Sequence, residues 1–442
     1  MRIFAILFQR NGMNKKILQI ALPSIVSNIT VPLLGMVDVA IAGHLGDVAY
    51  IGAIAVGGML FNMLYWLFGF LRMGTSGLTA QALGRGEERE VARLLFRSIG
   101  IGLLISILLI LFQEPLLRMA FYYIRPSIEV NNFAELYFRI CIWGAPAVLG
   151  LYSFVGWFIG MQNSRYPMIV AIVQNIVNIL CSLCFVYGFG MKVEGVALGT
   201  LVAQYAGLLI AVGLWFYHHG HMRRYFSRSI WFEKESMSRF FSINKDIFFR
   251  TLCLILVTTF FTSAGARQGD VILAVNTLLM QLFTLFSYVM DGFAYAGESM
   301  AGLYIGRQDL VSLRHLVRNL FRWGLGLSLL FTTVYVMGGE RFLSLLTDAS
   351  DVIAVTDAYL GWALAIPLTG FSAFLWDGIF IGATASRAML WSMLSASLLF
   401  FVLYYALFPY WANHALWFSF LSYLSVRALV QYFYSRRILL KK

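Results

Sequence analysis

The segment FIGMQNSR occupies residues 158–165, and a near copy, FIGATASR, occupies residues 380–387. The two segments lie 222 residues apart and share Phe, Ile, Gly, Ser and Arg at the same places. Self-similarity at a fixed offset predicts a fold built from repeated units. Five further matches share offsets of 221 to 223 residues: Gly46-Asp47-Val48 with Gly269-Asp270-Val271, Gly69-Phe70 with Gly292-Phe293, Gly74-Thr75-Ser76 with Gly297-Glu298-Ser299, Gly84-Arg85 with Gly306-Arg307, and Pro146 with Pro367.

The composition of the chain identifies the environment of the repeat. Of its 442 residues, 60% are hydrophobic and only 12% are charged, and the mean hydropathy is +0.77. Soluble domains carry about 25% charged residues. A water-soluble globule and a disordered chain are therefore excluded. Four Cys residues are too few for a disulfide scaffold. We expect an all-α integral membrane protein.

Apolar stretches of roughly 20 residues predict membrane-spanning helices. Twelve such spans are predicted, six in each copy of the repeat, so the two copies run through the membrane in the same direction. Parallel repeats of this kind are typical of secondary transporters. A β-barrel is excluded, because the segments do not alternate apolar and polar residues. The predicted spans are 16–42, 50–80, 93–113, 131–160, 167–190, 194–217, 245–266, 271–303, 314–338, 353–382, 388–410 and 413–434.

The spans define the predicted domain organisation. An N-lobe of six spans covers residues 16–217, and a C-lobe of six spans covers residues 245–434. Residues 218–244 form a basic cytoplasmic linker between them. Residues 1–15 and 435–442 are the predicted cytoplasmic termini.

The net charge of +12 comes from 33 basic and 21 acidic residues. Twenty-four of the basic residues fall in the termini, the linker and the other even-numbered connections. The odd-numbered connections hold only Arg118, Arg125, Lys192, Arg267 and Arg341. By the positive-inside rule, both termini are cytoplasmic in a multi-pass plasma (inner) membrane protein. The positive charge therefore reports orientation, and we expect no nucleic-acid partner.

Four acidic residues of the predicted spans are candidates for function, because charges within spans are costly and often functional. Asp38 in span 1 lies between Gly35-Met36-Val37 and Val39-Ala40-Ile41, so no neighbour in sequence can neutralise it. Asp38 and Asp377, in span 10, are the predicted ion-coupling residues. Asp291 and Glu298 in span 8 are secondary candidates. A carboxyl that only holds helices together through hydrogen bonds is the alternative for each.

Polar residues in spans 5 and 6 form the predicted cavity and substrate site: Gln174, Asn175, Asn178, Ser182, Thr200 and Gln204. Asn175, Asn178 and Ser182 project onto one helical face. Such a stripe lines a wet cavity or joins helices through hydrogen bonds, and both interpretations stay open. Arg72 and Arg139 are expected to pair with acidic residues or to reach the membrane surface.

The sequence lacks the motifs of common enzymes. It has no GxxxxGK[ST], GxSxG or HExxH segment, so we predict neither ATP hydrolysis nor another enzymatic activity. Cys181 and Cys184 have redox or zinc spacing, but they lie in an apolar span without a second pair nearby. We expect no metal site and no organic cofactor, and only a proton or a sodium ion as coupling ion.

Three segments resemble the multidrug and toxic compound extrusion (MATE) transporters, in particular their DinF-like branch. They are Pro32-Leu-Leu-Gly-Met-Val-Asp38, Ala42-Gly-His-Leu-Gly46 and Gly195-Val-x-x-Gly199-Thr200. The resemblance extends from about residue 16 to 435. It implies two six-helix lobes around a V-shaped cleft, and export of substrate in exchange for protons or sodium ions.

The resemblance also implies roles for individual residues. Asp38 corresponds to the main coupling carboxylate of this branch, and Asn178 and Thr200 correspond to members of its usual network. Ser182 stands where many relatives have a second Asp, which puts a detailed bent-helix or sodium-site mechanism in doubt. Asp377 resembles the span-10 Asp of sodium-coupled relatives.

The predicted function is a cation-coupled antiporter that exports organic, cationic or amphipathic small molecules by alternating access. Its partners are then a small-molecule substrate and membrane lipid, and we expect a monomer. A flippase for lipids or lipid-linked oligosaccharides is the alternative. It would need several basic residues in its cavity, whereas the N-terminal half offers only Arg72 and Arg139. A receptor or scaffold without transport is a third class.

Overall fold

A computed structural model describes residues 2–45, 47–124, 127–226, 233–346 and 350–438. Within these ranges the regular elements are helices, and no strand occurs. The α-helices are α1 (Arg2–Gly43), α2 (Val48–Leu67), α3 (Phe70–Arg85), α4 (Glu88–Leu111), α5 (Gln113–Ile124), α6 (Ile128–Cys141), α7 (Ala145–Gly160), α8 (Arg165–Leu183), α9 (Val193–His219), α10 (Lys234–Ala266), α11 (Asp270–Gly306), α12 (Leu310–Leu346), α13 (Ser350–Gly382), α14 (Ser386–Trp411) and α15 (Asn413–Ile438).

The predicted spans coincide with helices. Among the described residues, eleven helices or joined helix pairs are long and apolar enough to cross a membrane, and they match the first eleven predicted spans. The twelfth, 413–434, lies within α15, which is long enough but less apolar. Its Arg427 and Gln431 lower the hydropathy, yet both are buried. The all-helical membrane fold is therefore confirmed, and α15 differs because its polar residues have internal partners.

The chain divides into two compact units. The N-unit comprises residues 26–241, and the C-unit comprises residues 1–25 together with 242–442. Helices α1 and α10 contribute residues to both units. The predicted lobe, linker and terminus boundaries stay predictions. Of the residues used for the repeat and the orientation, Gly46, Arg125, Arg228, Lys441 and Lys442 lie outside the described residues.

The repeat in the sequence has a counterpart in the backbone. In FIGMQNSR the chain leaves α7 with Gln162 at φ 64°, and in FIGATASR it leaves α13 with Thr384 at φ 52°. This left-handed region is uncommon for residues other than glycine. The amide of Gln162 donates to the carbonyl of Ile159 at 3.0 Å, and the amide of Thr384 donates to that of Ile381 at 2.9 Å. The same helix-ending turn therefore occurs at the same place in both copies.

Two glycines one turn apart let α7 approach α3 closely. A Cβ at Gly156 would lie 2.3 Å from the carbonyl oxygen of Arg72, and one at Gly160 would lie 2.7 Å from that of Ser76. No side chain fits at these distances, so the backbones meet directly. Small residues that allow such an approach are typical of helix contacts in membranes.

The C-unit repeats this contact between α13 and α11. A Cβ at Gly378 would lie 2.1 Å from the carbonyl oxygen of Ala294, and one at Gly382 would lie 2.2 Å from that of Glu298. All four positions lie 222 residues after their counterparts in the N-unit. The internal repeat is thus a repeat of helix packing as well as of sequence.

The segment after α9 packs on the start of α4 within the N-unit. Residues Gly220–Tyr225 form a 3-10 turn, and His221 Nε2 lies 2.8 Å from a carboxylate oxygen of Glu88. Further along, Glu233 accepts hydrogen bonds from Arg93 at 2.5 Å and from Arg97 at 2.6 Å. Arg97 is fully buried. Two basic residues of the N-unit are therefore neutralised internally.

Candidate functional site

Asp38 lies near the end of α1 and is only 5% exposed. Its carboxylate oxygen Oδ2 accepts a hydrogen bond from the hydroxyl of Thr200 at 3.3 Å. Its other oxygen, Oδ1, is buried and has no hydrogen-bond partner among the described residues. Its hydrogen-bonded contact within the N-unit is thus a neutral hydroxyl.

A second polar group extends this contact from α9 to α8. Asn178 donates from Nδ2 to the hydroxyl oxygen of Thr200 at 3.0 Å, and its own Oδ1 is buried without a partner in the described part of the chain. The structure therefore brings together Asp38, Asn178 and Thr200, three of the residues that the sequence predicts for the site. They come from three different helices.

Ser182 lies one turn beyond Asn178 on α8 and is completely buried. A Cβ at Gly199 would lie 2.2 Å from its hydroxyl oxygen and 2.8 Å from its backbone nitrogen. Because Gly199 precedes Thr200, this close contact fixes α8 against α9 beside the polar cluster. The small size of Ser182 permits the approach.

One tyrosine and one cysteine of α6 lie beside the cluster. Tyr137 on α6 is 5% exposed and lies within hydrogen-bonding reach of Thr200 and Cys141. Tyr137 fits against α2 because residue 57 is glycine, where a Cβ would lie 2.4 Å from its ring. Tyr137 could not be recognised from the sequence as a neighbour of the site, because one tyrosine among 22 carries no distinguishing signal.

The remaining polar residues of spans 5 and 6 make other contacts. Asn175 donates to the backbone carbonyl of Thr30 at 2.9 Å, which joins α8 to α1. A Cβ at Gly207 would lie 3.1 Å from Gln174 Oε1, and one at Gly144 would lie 1.7 Å from Gln204 Oε1. These three side chains therefore pack between helices of the N-unit, whereas Asn178 contacts the Asp38 cluster.

Asp377, on α13, has different surroundings. Arg250 from α10 and Arg427 from α15 both donate hydrogen bonds to its Oδ2, and Gln431 donates to its Oδ1 at 2.5 Å. Asp377 is 6% exposed and Arg427 is 3% exposed. Two guanidinium groups therefore neutralise the Asp377 carboxylate, and the role of Asp377 in ion coupling stays a prediction.

The partners of Asp377 have additional contacts of their own. The guanidinium of Arg427 lies 5.9 Å from the centre of the Phe374 ring. One turn before Arg250 on α10, Asp246 accepts a hydrogen bond from Ser386 at 2.8 Å. Both arginines were visible in the sequence as basic residues within spans. Only the fold shows that they meet at one carboxylate.

The secondary candidates lie on α11 in the C-unit. Glu298 is 1% exposed at the close contact with Gly382, and Asp291 is half-buried. Arg139, by contrast, pairs with Glu135 at 2.7 Å and also with Glu114, as the sequence analysis expected. Across the part of the chain that is described, no three His, Cys, Asp or Glu side chains come together as a metal site.

An all-helical fold of two repeats with carboxylates buried in its spans is typical of secondary membrane transporters. Comparisons with known proteins identify the family to which the chain belongs. The family model described as MatE matches residues 23–186 and, a second time, residues 247–406. The chain belongs to the MatE family of membrane transporters.

Relatives and solved structures agree with this assignment. The chain is 38% identical to DNA damage-inducible protein F of Escherichia coli strain K12, over 94% of this chain and 90% of that protein. The Vibrio cholerae MATE transporter VcmN in the bent form superposes with a TM-score of 0.85, at 17% identity, over 97% and 98% of the two chains. A MATE crystal structure in the bent conformation gives a TM-score of 0.84 over 97% and 96%.

The resemblance inferred from the sequence is thereby confirmed. The protein is a multi-pass membrane protein of the MATE multidrug efflux transporter family. This family consists of transporters and not of enzymes.

Proposed function

We propose that the protein is a proton-coupled antiporter that exports organic cations, and that Asp38 is its coupling residue. The observation that supports this is the burial of the Asp38 carboxylate with one hydroxyl donor and one oxygen left without a described partner. A buried charge with so little compensation favours the neutral form of the group. Uptake of a proton or of a cation removes the penalty.

The cycle follows from competition for this carboxylate. When Asp38 is ionised, its charge attracts a cationic substrate from the cytoplasm. When a proton arrives from outside, the carboxylate is neutral and the electrostatic attraction for the substrate is lost. Because proton and substrate use the same negative charge, each outward movement of substrate is linked to an inward movement of a proton.

Sodium is the second candidate coupling ion. Asn178 Oδ1 and Ser182 Oγ are buried oxygens without described hydrogen-bond partners, and both lie on α8, the helix whose Asn178 bonds Thr200. Neutral oxygens together with one carboxylate are suitable ligands for a hard cation. The proton is preferred, because it neutralises Asp38 without requiring these further ligands.

The substrate class follows from the single negative charge and from the relatives. A Thermotoga maritima relative, 27% identical over 44% of this chain, bears the name probable multidrug resistance protein NorM. An organic cation with apolar groups would suit a carboxylate among aromatic side chains. The proposed location is the inner membrane with both termini cytoplasmic, and the proposed active form is a monomer that needs no organic cofactor.

The flippase alternative is not favoured. The known proteins that this chain resembles are MATE transporters. Arg139, one of the two basic residues that such a function would use, is engaged by Glu114 and Glu135. It therefore offers no uncompensated charge for a phosphate group.

Transport in proteoliposomes tests the proposal. Purified protein is reconstituted, and movement of the fluorescent cation ethidium is followed under an imposed proton gradient, an imposed sodium gradient, or neither. We expect ethidium movement to follow the proton gradient and to stop when that gradient alone is collapsed. Dependence on the sodium gradient alone would replace the proton by sodium. Movement that ignores both gradients would contradict coupled transport.

A further inference from the structure

A groove in the C-unit lies between helices α12, α13 and α15. It has a volume of about 380 Å³. Its lining is mostly apolar and aromatic, with Phe321, Leu368, Trp376, Ala428, Leu429 and Tyr432, and it also includes Thr369, Ser372 and Ser425. Leu368 and Leu429 are 42% and 54% exposed. On helices that span a membrane, exposed apolar side chains of this kind are positioned to contact lipid chains.

One end of the groove carries positive charge. On α12, Arg314 and Arg318 precede Phe321 by seven and three residues, so that all three share one face of the helix. On α15, Arg436 lies one turn beyond Tyr432, with its guanidinium 4.8 Å from the ring centre. Spans alternate in direction along the chain, so α12 begins on the same side of the membrane on which α15 ends. The three arginines therefore flank the same end of the groove.

The arginines at the groove have no counter-charge among the described residues. Arg314, Arg318 and Arg436 are exposed, and the described part of the chain gives none of them an ion pair. Helix α15 contains no Asp or Glu at all. Helix α4, which corresponds to α12 in the N-unit, differs in this respect. Its Arg93 and Arg97 both pair with Glu233.

We propose that this groove binds an anionic phospholipid. One acyl chain lies along Phe321, Leu368 and Leu429, and the phosphate of the headgroup contacts Arg318 and Arg436. The charges require an anion, since each arginine is exposed and uncompensated. The mostly apolar groove beside them favours an amphiphile over a free anion, because a free phosphate would leave the apolar walls without a partner.

Native mass spectrometry of the detergent-purified full chain tests the proposal. Binding of dioleoyl-phosphatidylglycerol and of dioleoyl-phosphatidylcholine is titrated, and inorganic phosphate is added as a competitor. We expect phosphatidylglycerol to bind preferentially at one site, and millimolar phosphate not to displace it. Equal binding of both lipids, or displacement by phosphate, would overturn the assignment to an anionic lipid.

Two variants locate the site. Replacing Arg318→Gln together with Arg436→Gln should weaken phosphatidylglycerol binding by roughly 5-fold for each arginine, and leave phosphatidylcholine binding unchanged. The matched control, Arg165→Gln with Arg387→Gln, removes the same charge from exposed positions outside the groove and should bind as the native chain does. Equal loss in the control, or no loss in the test variant, would contradict the proposal.

A substitution that fills the groove provides an independent check. Ala428 lines the groove and is 7% exposed, so that Ala428→Trp would occupy the space assigned to the acyl chain. We expect this variant to lose the high-affinity phosphatidylglycerol adduct while its arginines remain in place. Retention of that adduct, in a protein whose melting temperature matches the native one, would show that the lipid binds elsewhere.

Discussion

Two aspartates are buried to nearly the same extent in spans of this protein, but their surroundings differ. Asp38 in the N-unit is 5% exposed, and its described hydrogen-bond donor is the hydroxyl of Thr200. Asp377 in the C-unit is 6% exposed and is held by Arg250, Arg427 and Gln431. Among the described residues of its unit, the first carboxylate has no positive partner, whereas the second has two.

We propose that this difference separates a transport role for Asp38 from a structural role for Asp377. Moving a carboxylate out of water is costly unless a cation compensates it. At Asp377 the compensation is permanent, because the arginines are part of the fold. At Asp38 we propose that it is temporary and arrives with the coupling ion. Burial alone therefore does not identify a coupling residue, and the charge of its neighbours does.

The largest effect is expected when Asp377 is neutralised. Asp377→Asn leaves Arg250 and Arg427 as buried charges without a counter-ion, which should lower the free energy of unfolding by about 3–5 kcal/mol. Thermal unfolding of the purified protein measures the loss. Adding Arg250→Met and Arg427→Met to the same chain removes the stranded charges and should restore most of the stability. A single variant as stable as the native protein would contradict the ion-pair role.

Neutralising Asp38 should reduce transport without reducing stability, in contrast to the loss of stability expected at Asp377. Asp38→Asn keeps the size of the side chain but removes the charge that binds proton and substrate, so coupled ethidium transport should fall by about tenfold or more, equivalent to at least about 1.4 kcal/mol. The melting temperature should not fall, because a poorly compensated buried charge is removed. A variant that transports normally, or one that unfolds readily, would place Asp38 in the same class as Asp377.

The next effect concerns Ser182, which by the resemblance takes the place of an Asp in many members of the family. Because its hydroxyl lies against Gly199, the larger side chain of Ser182→Asp should separate α8 from α9, at a cost of about 1–3 kcal/mol from overpacking alone. Ser182→Ala is the matched control and should change stability little. Thermal unfolding of both variants measures the difference. A stable Ser182→Asp protein with normal transport would show that the N-unit can hold two carboxylates.

The smallest effect is expected when the hydroxyl of Thr200, which donates a hydrogen bond to Asp38, is removed. Thr200→Val removes a hydroxyl whose hydrogen bond to Asp38 is long, at 3.3 Å, and should weaken stability by about 0.5–1.5 kcal/mol. The proton concentration at which transport is half-maximal should also change, since the hydroxyl stabilises the ionised carboxylate. Thr200→Ser keeps the donor and should retain the native profile. Identical profiles for all three proteins would exclude Thr200 from the site.

Much of the fold could be predicted because its signals are local. Hydropathy identified the spans, and the copies FIGMQNSR and FIGATASR identified the repeat that the structure shows in the turns at Gln162 and Thr384. The weakest span signal was that of α15. Its polar residues Arg427 and Gln431 reduce the hydropathy, and their role depends on a partner in another helix.

The two aspartates show where sequence reasoning reached its limit. A buried carboxylate can be recognised from its apolar neighbours, but its electrostatic partners cannot. Arg250 and Arg427 lie 127 and 50 residues from Asp377, and only helix packing brings them together. The stripe on α8 was similarly divided by the fold, because Asn178 contacts Thr200 whereas Asn175 binds a backbone carbonyl of α1.

The most direct test of the account compares the two aspartates in one assay. Ethidium transport driven by an imposed proton gradient is measured in proteoliposomes that contain the native chain, Asp38→Asn, or the triple variant Arg250→Met, Asp377→Asn and Arg427→Met. We predict that Asp38→Asn abolishes gradient-driven transport, while the triple variant retains at least about half of the native rate. Loss of coupling in the triple variant with normal transport in Asp38→Asn would contradict the account.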